Sequence, residues 1–302
     1  MPDIAEFVRL NNAPAHLSFV ADHHDTYPYI TPTGSELSGK SILITGASKG
    51  IGRTTAIRCT KAGCSRIVIA ARSQPGLGDV VKEIEEEARK SNLETPHILP
   101  LQVDVTSDES VRAAAKVVDE AFGGKLDILV NNAGYLPEFK TVIESDPAEW
   151  VKGWDVNVKG TFLCCHYFLP FVLKSETKLV INLSSVGAHT LTYGGSSYQA
   201  SRFANCRLTE FLARDHEDEN LIAISVHPGG IKTDMRDNFP EMLHSALVDE
   251  PALPADAIIW LAKERREWLN GRFVCATWDM EELEGKKNEV VDRDLFKFRI
   301  TV

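Results

Sequence analysis

The stretch TGASKGIG, residues 45–52, determines the fold that this sequence is expected to adopt. It follows the short apolar run SILIT at 41–45 and leads into a helix-compatible segment. Its glycines, Gly46, Gly50 and Gly52, let the backbone turn tightly and approach a phosphate group. The helix that follows offers free N–H groups and the positive end of its dipole. A strand, a glycine turn and a helix in this order are typical of dinucleotide-binding folds.

Downstream of this turn, short apolar runs alternate with longer amphipathic segments. The runs predicted to be strands are RIVIA (66–70), HILPLQVD (97–104), LDILVN (126–131), KLVINLS (178–184) and LIAISVHP (221–228). Continuous apolar strands separated by helices indicate a parallel sheet that is covered on both faces. We therefore predict a single α/β domain of the Rossmann type, a doubly wound parallel sheet whose ligand binds at the carboxyl ends of the strands.

The chain divides into an arm and a domain. Residues 1–38 are rich in Pro, His, Asn and Thr and have no sustained period, so we predict an extended arm. Residues 39–302 are predicted to form the domain, in which residues 234–254 are a lid over the substrate and a tail follows. The arm contains DHHD at 22–25, but neighbouring residues on an extended segment point in different directions, so no metal site is predicted.

Composition narrows the class of partner. The 302 residues are 43% hydrophobic and 25% charged, as in folded globular proteins, and the net charge of -10 argues against nucleic acid and anionic membranes as partners. The sequence has neither a secretion signal nor an apolar run of the roughly 18 residues needed to cross a membrane. Six cysteines without a CxxC pair suit a reducing compartment. We expect a cytoplasmic protein that binds a small molecule.

Two cations follow the first two predicted strands. Arg72 stands in AARS at the end of the second strand, where enzymes that select the unphosphorylated dinucleotide often have an acidic residue. Lys49 lies within the glycine turn. An arginine fork matches a phosphate well, so the pair predicts binding of an adenosine 2′-phosphate and hence of NADPH or NADP+.

Further motifs occur in the order and spacing of one known family. They are VDV (103–105), NNAG (131–134), DVNVKG (155–160), LSS (183–185), Tyr198 and HPGGIKT (227–233). Together with the glycine turn they resemble the short-chain dehydrogenases/reductases over residues 38–235. The segments HHDTYPYITP (23–32) and CATWDMEEL (275–283) are similar to those of a fungal subgroup often met in specialised metabolism.

The resemblance implies a cofactor site assembled from several segments. Asp104 and Val105 are expected to flank the adenine, and Ile231 and Thr233 to hold the nicotinamide carboxamide. The complete set of predicted cofactor-binding residues is Gly46, Ser48, Lys49, Gly50, Ile51, Gly52, Arg72, Ser73, Asp104, Val105, Asn131, Asn132, Ala133, Gly134, Tyr198, Arg202, Pro228, Gly229, Ile231 and Thr233.

The family uses an Asn, a Ser, a Tyr and a Lys one helical turn after the Tyr. The matching residues here are Asn157, Ser185 and Tyr198, but Arg202 stands in the lysine position. The hydroxyls of Ser185 and Tyr198 are expected to stabilise the substrate oxygen, and Tyr198 to deliver a proton. A cation lowers the pKa of a tyrosine from about 10, yet an arginine, whose pKa is roughly 12.5–13.8, does not readily release a proton.

This substitution keeps more than one function open. The leading hypothesis is an NADPH-dependent oxidoreductase that reduces a ketone or aldehyde of an apolar small molecule, in secondary metabolism. The alternatives are a non-redox enzyme on the same fold (an isomerase, dehydratase, cyclase or lyase) and a catalytically impaired NADPH-binding protein.

Apolar residues are predicted to face the substrate. Those after NNAG are Tyr135, Leu136 and Phe139, and those of the lid are Met235, Phe239, Met242 and Leu243. They imply an apolar carbonyl compound as substrate. His189 and Tyr193 lie on the loop between Ser185 and Tyr198, where they either touch substrate or only fill the loop. Cys164 and Cys165 are expected to be buried as small apolar residues.

Two long helices, at 147–174 and 198–216, are the segments through which family members commonly associate. The first contains FLCCHYFLPFVL, which is apolar on more than one face. Such a helix needs a second partner besides its own core. We predict a homodimer or homotetramer.

Overall fold

The structure, a computed structural model, describes residues 19–300. Within this range one sheet contains the strands β1 Ser41–Thr45, β2 Arg66–Ala71, β3 His97–Gln102, β4 Ile128–Asn131, β5 Leu179–Leu183, β6 Ile222–His227 and β7 Arg272–Cys275. Their order is β3-β2-β1-β4-β5-β6-β7, and every neighbouring pair is parallel. The predicted Rossmann-type architecture is confirmed. The strand order of the sheet reverses between β1 and β4, which is where such folds bind their ligands.

Helices cover both faces of the sheet. They are α1 Gly50–Lys61, α2 Gln74–Lys90, α3 Asp108–Phe122, α4 Pro147–Trp154, α5 Gly160–Val172, α6 Ser196–Asp215, α7 Ala252–Lys263, α8 Met280–Gly285 and α9 Lys287–Asp292. Ile42 and Ile44 of β1 pack in one apolar cluster with α1, α2 and α7, whereas Leu43 packs with α3 and α5 on the other face. Because side chains alternate along a strand, burial of both faces requires the continuous apolar runs in the sequence.

The long helical run predicted at 147–174 is interrupted. α4 ends at Trp154, a π-helical turn covers Asp155–Lys159, and α5 then continues to Val172. The hydroxyl of Thr161 donates to the backbone oxygen of Asn157 at 2.8 Å, so the side chain of Thr161 satisfies this carbonyl at the π turn. Single π turns within helices are common at functional sites because they redirect one side chain. Here that side chain is Asn157.

The described part of the arm packs on the domain. Val20, Ile30 and Leu37 are buried in the cluster that contains α1 and α7. The backbone N–H of Asp279 donates to the backbone oxygen of Ala21 at 2.7 Å. The predicted extended arm begins at residue 1, and residues 1–18 lie outside the described range. Residues 19–38 are a series of turns held against the C-terminal part of the chain.

The predicted lid contains two 3-10 turns, Asp234–Asn238 and Glu241–Ala246, before α7 begins at Ala252. It contributes no strand to the main sheet; one isolated bridge joins Ile231 to Asp249. Across residues 19–300, no helix combines the length and the apolar character that crossing a bilayer would require.

Candidate functional site

The glycine turn after β1 is shaped by close contacts that exclude side chains. Gly46 and Gly50 have φ of 67° and 54°, in the left-handed region that favours glycine. A Cβ on Gly46 would lie 2.8 Å from Cα of Ala133. A Cβ on Gly52 would lie 2.5 Å from Nδ2 of Asn132 and 2.6 Å from the oxygen of Gly46. The turn therefore packs directly on the residues that follow β4, as phosphate-binding turns require.

Asn132 fixes this packing. Its Nδ2 donates to the backbone oxygen of Thr45 at 2.8 Å and to that of Gly46 at 3.2 Å. The Thr45 hydroxyl accepts the backbone N–H groups of Asn132 and Ala133 at 3.1 and 3.0 Å. Asn131 lies deeper, 3% exposed, and its Nδ2 donates to Oδ1 of Asn182 at 2.8 Å. The side chains of both asparagines thus hold the carboxyl ends of β1, β4 and β5 in position.

The two cations predicted for the adenosine end of the cofactor site are both exposed. Arg72 is exposed directly after β2, and Ser73 beside it caps α2 by accepting the N–H of Gly76 at 3.3 Å. Lys49 is exposed too, and its Nζ lies 2.5 Å from Oδ2 of Asp234 at the start of the lid. This ion pair, which also lowers the pKa of Asp234, joins the glycine turn to the lid.

Residues after β3 form the other wall at this end. Oδ1 of Asp104 accepts the backbone N–H and the hydroxyl of Thr106 at 2.9 and 2.8 Å, so its carboxylate stabilises the local turn. Val105 is 9% exposed and packs on Gly160, where a Cβ would lie 2.8 Å from Cγ2 of Val105. Both residues stand beside the predicted adenine position, in a turn that the protein itself makes rigid.

Arg202 is buried beneath the predicted nicotinamide position. Its side chain is 4% exposed, and Nη1 donates to the backbone oxygen of Leu183 at 2.8 Å. Its Cζ lies 5.1 Å from the centroid of the Tyr198 ring, one helical turn earlier on α6. Among the described residues, Nε of Arg202 has no hydrogen-bond partner. The guanidinium therefore has an unsatisfied hydrogen-bond donor in a position that is almost completely buried.

Space for this guanidinium depends on Gly134. A Cβ at that position would collide with Nη2 of Arg202 and would lie 3.3 Å from Cε of Met235. The last residue of NNAG, the arginine and the first turn of the lid thus meet at one point. Of the predicted cofactor residues, Gly134 and Arg202 are in contact here.

Ser185 and Asn157, two of the predicted catalytic residues, each hydrogen-bond to nearby backbone. Oγ of Ser185 accepts the N–H of Gly187 at 3.0 Å, and Gly187 separates this hydroxyl from the side chain of Gln199 on α6. Asn157 is fully buried; its Oδ1 accepts the N–H of Tyr135 at 2.8 Å and its Nδ2 donates to the oxygen of Tyr135 at 2.9 Å. Asn157 thus fixes the loop after β4 with both side-chain groups.

The segment after β6 is held by a residue that sequence reasoning did not single out. Asp249, 8% exposed, accepts the N–H of Gly230 on Oδ2 at 2.6 Å, and its own N–H donates to the oxygen of Gly230 at 3.0 Å. Further along this segment, Thr233 packs on the glycine turn, since a Cβ on Gly50 would lie 3.2 Å from its Cγ2. No motif marks Asp249, because only its place in space connects it to the site.

The sequence matches a known protein family over most of its length. Residues 40–244 match the family model described as short chain dehydrogenase. The chain belongs to the short-chain dehydrogenase/reductase family. It is 39% identical over 280 residues to the short chain dehydrogenase mpl6 of Monascus purpureus, covering 93% of this chain and 95% of that one. It is also 39% identical over 280 residues to the short chain dehydrogenase pigC of Monascus ruber, covering 92% and 91%. The predicted resemblance to fungal members of the family is confirmed.

Solved structures of the family have the same fold. A short chain dehydrogenase from Shigella flexneri complexed with NADP has a TM-score of 0.71 and 26% identity, covering 80% of this chain and 98% of that one. A 3-ketoacyl-(acyl-carrier-protein) reductase from Brucella melitensis complexed with NADH has a TM-score of 0.70 and 26% identity, covering 79% and 97%. Members of this oxidoreductase family bind a nicotinamide dinucleotide, and the two complexes contain different forms of it.

The substrate side of this family member differs in part from the prediction. Phe139 and Phe239 meet edge to face with centroids 5.7 Å apart, and Nδ2 of Asn238 donates to the oxygen of Leu136 at 2.7 Å, so loop and lid are in contact. Tyr135 instead extends to the surface, where its hydroxyl donates to Glu149 and its ring carries Lys152 at 4.4 Å. The side chain of Met242 lies outside the described set, and Leu243 is half-buried in the second 3-10 turn.

The loop between Ser185 and Tyr198 borders a separate cavity of about 820 Å³. His189 stacks on Phe298 at 4.7 Å and meets Phe273 edge to face at 4.4 Å, so it packs on the C-terminal part of the chain. Tyr193 is 59% exposed and lines the cavity. Neither Ser185 nor Tyr198 is among the described residues that line this cavity, so the cavity is distinct from the catalytic positions.

Burial determines the charge state of the neutral groups around the site. It raises the pKa of Cys165 to about 12 and that of Cys164 still further, as expected for thiols that act as apolar residues. It lowers the pKa of His227 to about 4, so this imidazole is neutral at pH 7.

We expect Gly52→Ala to disrupt the glycine turn. The added methyl meets Asn132 and a backbone oxygen, neither of which has room to move, so the free energy of unfolding should fall by about 1–3 kcal/mol. Dinucleotide affinity, measured by fluorescence titration, should fall at least about tenfold.

Gly78→Ala is the matched control. Gly78 lies within α2, and no atom of residues 19–300 would come within 4 Å of an added Cβ. The variant should therefore bind normally and gain up to about 1 kcal/mol of stability. Equal behaviour of the two variants would contradict the close packing of the turn.

Proposed function

We propose that this family member is an NADPH-dependent oxidoreductase that reduces the ketone or aldehyde group of an apolar small molecule. The observation that carries the proposal is the meeting of the glycine turn, Gly134 and the Tyr198–Arg202 pair at the carboxyl edge of the sheet. A proton donor then stands beside a nucleotide-binding turn, which is the arrangement that carbonyl reduction needs.

The residues present fit a nicotinamide dinucleotide. Gly46 and Gly52 leave no space for a Cβ, as expected where backbone must approach a pyrophosphate. In the described part of the chain, the N-cap residue Lys49 makes no side-chain hydrogen bond to the first turn of α1. Backbone N–H groups of this turn are therefore available to bind an anion. When bound, the cofactor supplies the hydride of the reduction. Ile231 and Thr233 would hold its nicotinamide half.

Preference for the phosphorylated cofactor rests on Arg72 and Lys49. Both are exposed at the end where an adenosine 2′-phosphate would lie, and Arg72 replaces the acidic residue typical of NAD-selective members. Because the two solved relatives contain different dinucleotides, the family alone does not decide between them. The two cations of this chain favour NADPH.

The side chains divide the remaining chemistry. The hydroxyl of Tyr198 donates a proton to the substrate oxygen, and that of Ser185 donates a hydrogen bond to the same oxygen. The hydroxyl of Ser185 already accepts the N–H of Gly187, which leaves its proton available to the substrate. Asn157 holds the Tyr135 backbone and so positions the loop that closes this side of the site.

Arg202 acts here as a fixed cation. Its Nη1 donates to the oxygen of Leu183, and its Cζ lies 5.1 Å from the centroid of the Tyr198 ring, so the guanidinium places a positive charge beside this side chain. Because a guanidinium does not readily release a proton, the proton that Tyr198 gives up is proposed to return by way of hydroxyl groups and water. Its free Nε is available to a ribose hydroxyl.

The same unpaired Nε favours a second candidate, a non-redox enzyme of the isomerase, dehydratase, cyclase or lyase type. A buried guanidinium with a free donor suits an enolate or carboxylate of the substrate. In that function Arg202 would touch the substrate and the nucleotide would have a structural role.

The apolar lid supports the substrate class, and the fungal relatives support a role in specialised metabolism. Phe139 of the loop after β4 and Phe239 of the lid meet edge to face, which gives the site an aromatic contact between loop and lid. Six free cysteines, all buried, support a reducing, cytoplasmic location.

The dinucleotide preference is tested by titration calorimetry with NADPH and NADH. Wild type should bind NADPH more tightly. Arg72→Ala should narrow the ratio of the two dissociation constants by roughly tenfold to a hundredfold, since a charge-assisted phosphate contact contributes about 1.5–3 kcal/mol.

Arg89→Ala controls for the change in net charge, because Arg89 is exposed on α2 away from the glycine turn. It should leave the ratio unchanged. Equal affinities of wild type for the two dinucleotides, or tighter NADH, would refute the preference.

The redox and non-redox candidates make opposite predictions at position 202. For a reductase, Arg202→Lys should retain ketone-dependent oxidation of NADPH, Arg202→Met should lose both affinity and rate, and Tyr198→Phe should lose reduction while still binding NADPH. For the non-redox enzyme, Arg202→Lys should lose roughly a hundredfold in rate, about 2.7 kcal/mol, because an ammonium lacks the planar fork.

Arg207→Lys is the control on the same helix, since Arg207 pairs with Glu210 at the surface. Absorbance of the reduced nicotinamide is followed with a panel of apolar ketones. Formation of product without oxidation of NADPH would support the second candidate. If neither product nor oxidation of NADPH is observed, the protein is a binding protein without turnover.

We also propose that the protein is a homodimer or homotetramer. Phe162 on α5 and Phe203 and Phe211 on α6 are 50%, 43% and 57% exposed, so the two helices present aromatic rings outward. An apolar face of this kind indicates a protein partner.

Light scattering at micromolar concentration should therefore give a multiple of 33.4 kDa. Phe203→Glu should shift the mass towards the monomer, whereas Ile143→Glu, at an apolar residue that is 97% exposed and lies outside α5 and α6, should not. A wild type that is only monomeric would contradict the proposal.

A further inference from the structure

The DHHD segment of the arm bonds to several distinct places. Oδ1 of Asp22 accepts the hydroxyl of Thr277 at 3.0 Å, and Nε2 of His23 lies 2.8 Å from Oδ2 of Asp279 in the C-terminal tail. Nδ1 of His24 lies 2.6 Å from Oδ1 of Asp249. The two adjacent histidines thus reach different elements, and only His24 reaches a residue of the cofactor edge.

Asp249 relays this contact to the segment after β6. One carboxylate oxygen bonds to His24, and the other accepts the N–H of Gly230 at 2.6 Å. The arm also contacts the neighbouring backbone, because the N–H of Glu250 donates to the oxygen of His24 at 2.8 Å. His24 therefore holds this part of the lid by its side chain and by its main chain.

The segment that Asp249 contacts is intrinsically pliable. Gly229 has φ of 98°, and it is followed by Gly230, so two residues without side chains precede Ile231. Glycines lose more conformational freedom on ordering than any other residue. A Cβ on Gly229 would lie 2.6 Å from Oδ2 of Asp249, which shows how closely the carboxylate covers this backbone. The path of the segment is thus set by Asp249.

We propose that His24 is a positioning residue for the nicotinamide half of the cofactor. By fixing the Asp249 carboxylate, it fixes the backbone of Gly229 and Gly230 and so the placement of Ile231 and Thr233. This inference rests on the proposed function, since it takes these residues to hold a nicotinamide. It gives the arm a role in cofactor binding although the arm lies outside the glycine turn.

His23 is a matched control for His24, because the two residues are adjacent and have the same side chain. It too bonds to a carboxylate, but Asp279 belongs to the tail and caps α8 by accepting the N–H of Glu282 at 2.8 Å. If the arm histidines only attach the arm to the domain, loss of either should have the same consequences. If His24 positions the nicotinamide segment, only its loss should affect the nicotinamide half.

The test compares NADPH with 2′,5′-ADP, which has the phosphorylated adenosine half but no nicotinamide, by calorimetry on the full chain. His24→Phe keeps a ring and removes the bonding nitrogen. It should lower the affinity for NADPH about tenfold and change the affinity for 2′,5′-ADP less than about twofold. His24→Asn, which places an amide nitrogen near the position of Nδ1, should restore most of the loss. His23→Phe should leave both affinities unchanged, whatever it does to the melting temperature.

Equal effects of His24→Phe and His23→Phe, or equal losses for NADPH and 2′,5′-ADP, would overturn the positioning role. The His24 side chain is 67% exposed, so its variants should fold. Asp249→Asn supplies a second route: it keeps an oxygen for Gly230, loses the charge beside His24, and should show the same selective loss. Failure of wild type to bind NADPH would refute the cofactor proposal and this inference with it, whereas tight wild-type binding without a selective loss refutes the inference alone.

Discussion

The packing of the glycine turn on the residues after β4 is the constraint on which the site depends. β1 and β4 are neighbours in the sheet, with Ile44 opposite Val130, so the turn after β1 must share its space with NNAG. That space exists because Gly52 has no side chain where Asn132 crosses to the oxygens of Thr45 and Gly46. The N-terminus of α1 therefore opens at the point where the strand order of the sheet reverses.

The arginine in place of lysine is accommodated because a glycine, Gly134, lies beside its guanidinium. Removing an ion from water costs several kcal/mol, while a hydrogen bond from a charged donor returns about 1.5–3 kcal/mol and a desolvated cation–π contact about 2 kcal/mol. Arg202 makes one of each, with Leu183 and with Tyr198, and Gly134 leaves room for its outer nitrogen. The contacts roughly offset the burial, so an acceptor at the free Nε adds net stability, and a ligand hydroxyl or carboxylate is the chemical group that supplies it.

Sequence reasoning succeeded where the signal is local. The strand order of apolar runs, the glycine turn and the Tyr198–Arg202 spacing are each contained within a few residues, and the structure confirms the fold that they predict. It failed where contacts join distant positions. Nothing near Tyr135 indicates that its hydroxyl turns to Glu149, and no helical period distinguishes the π turn at Asn157 from an ordinary turn. Asp249 and His24 are separated by 225 positions, so their pairing has no signature in either segment.

The carboxylate contacts at the two ends of the lid differ in burial, and this difference sets which end opens more readily. Lys49 and Asp234 are 67% and 72% exposed, and pairs of that kind contribute about 0–1 kcal/mol because water solvates both ions when they separate. Asp249 is 5% exposed in its side chain, and separating it from Gly230 leaves a carboxylate with less compensation from water. The end at Asp234, next to the glycine turn, therefore separates at a lower cost in free energy than the end at Asp249. A nucleotide phosphate that draws Lys49 away from Asp234 would free the lid on the cofactor side while the arm keeps the Gly229–Gly230 backbone in place.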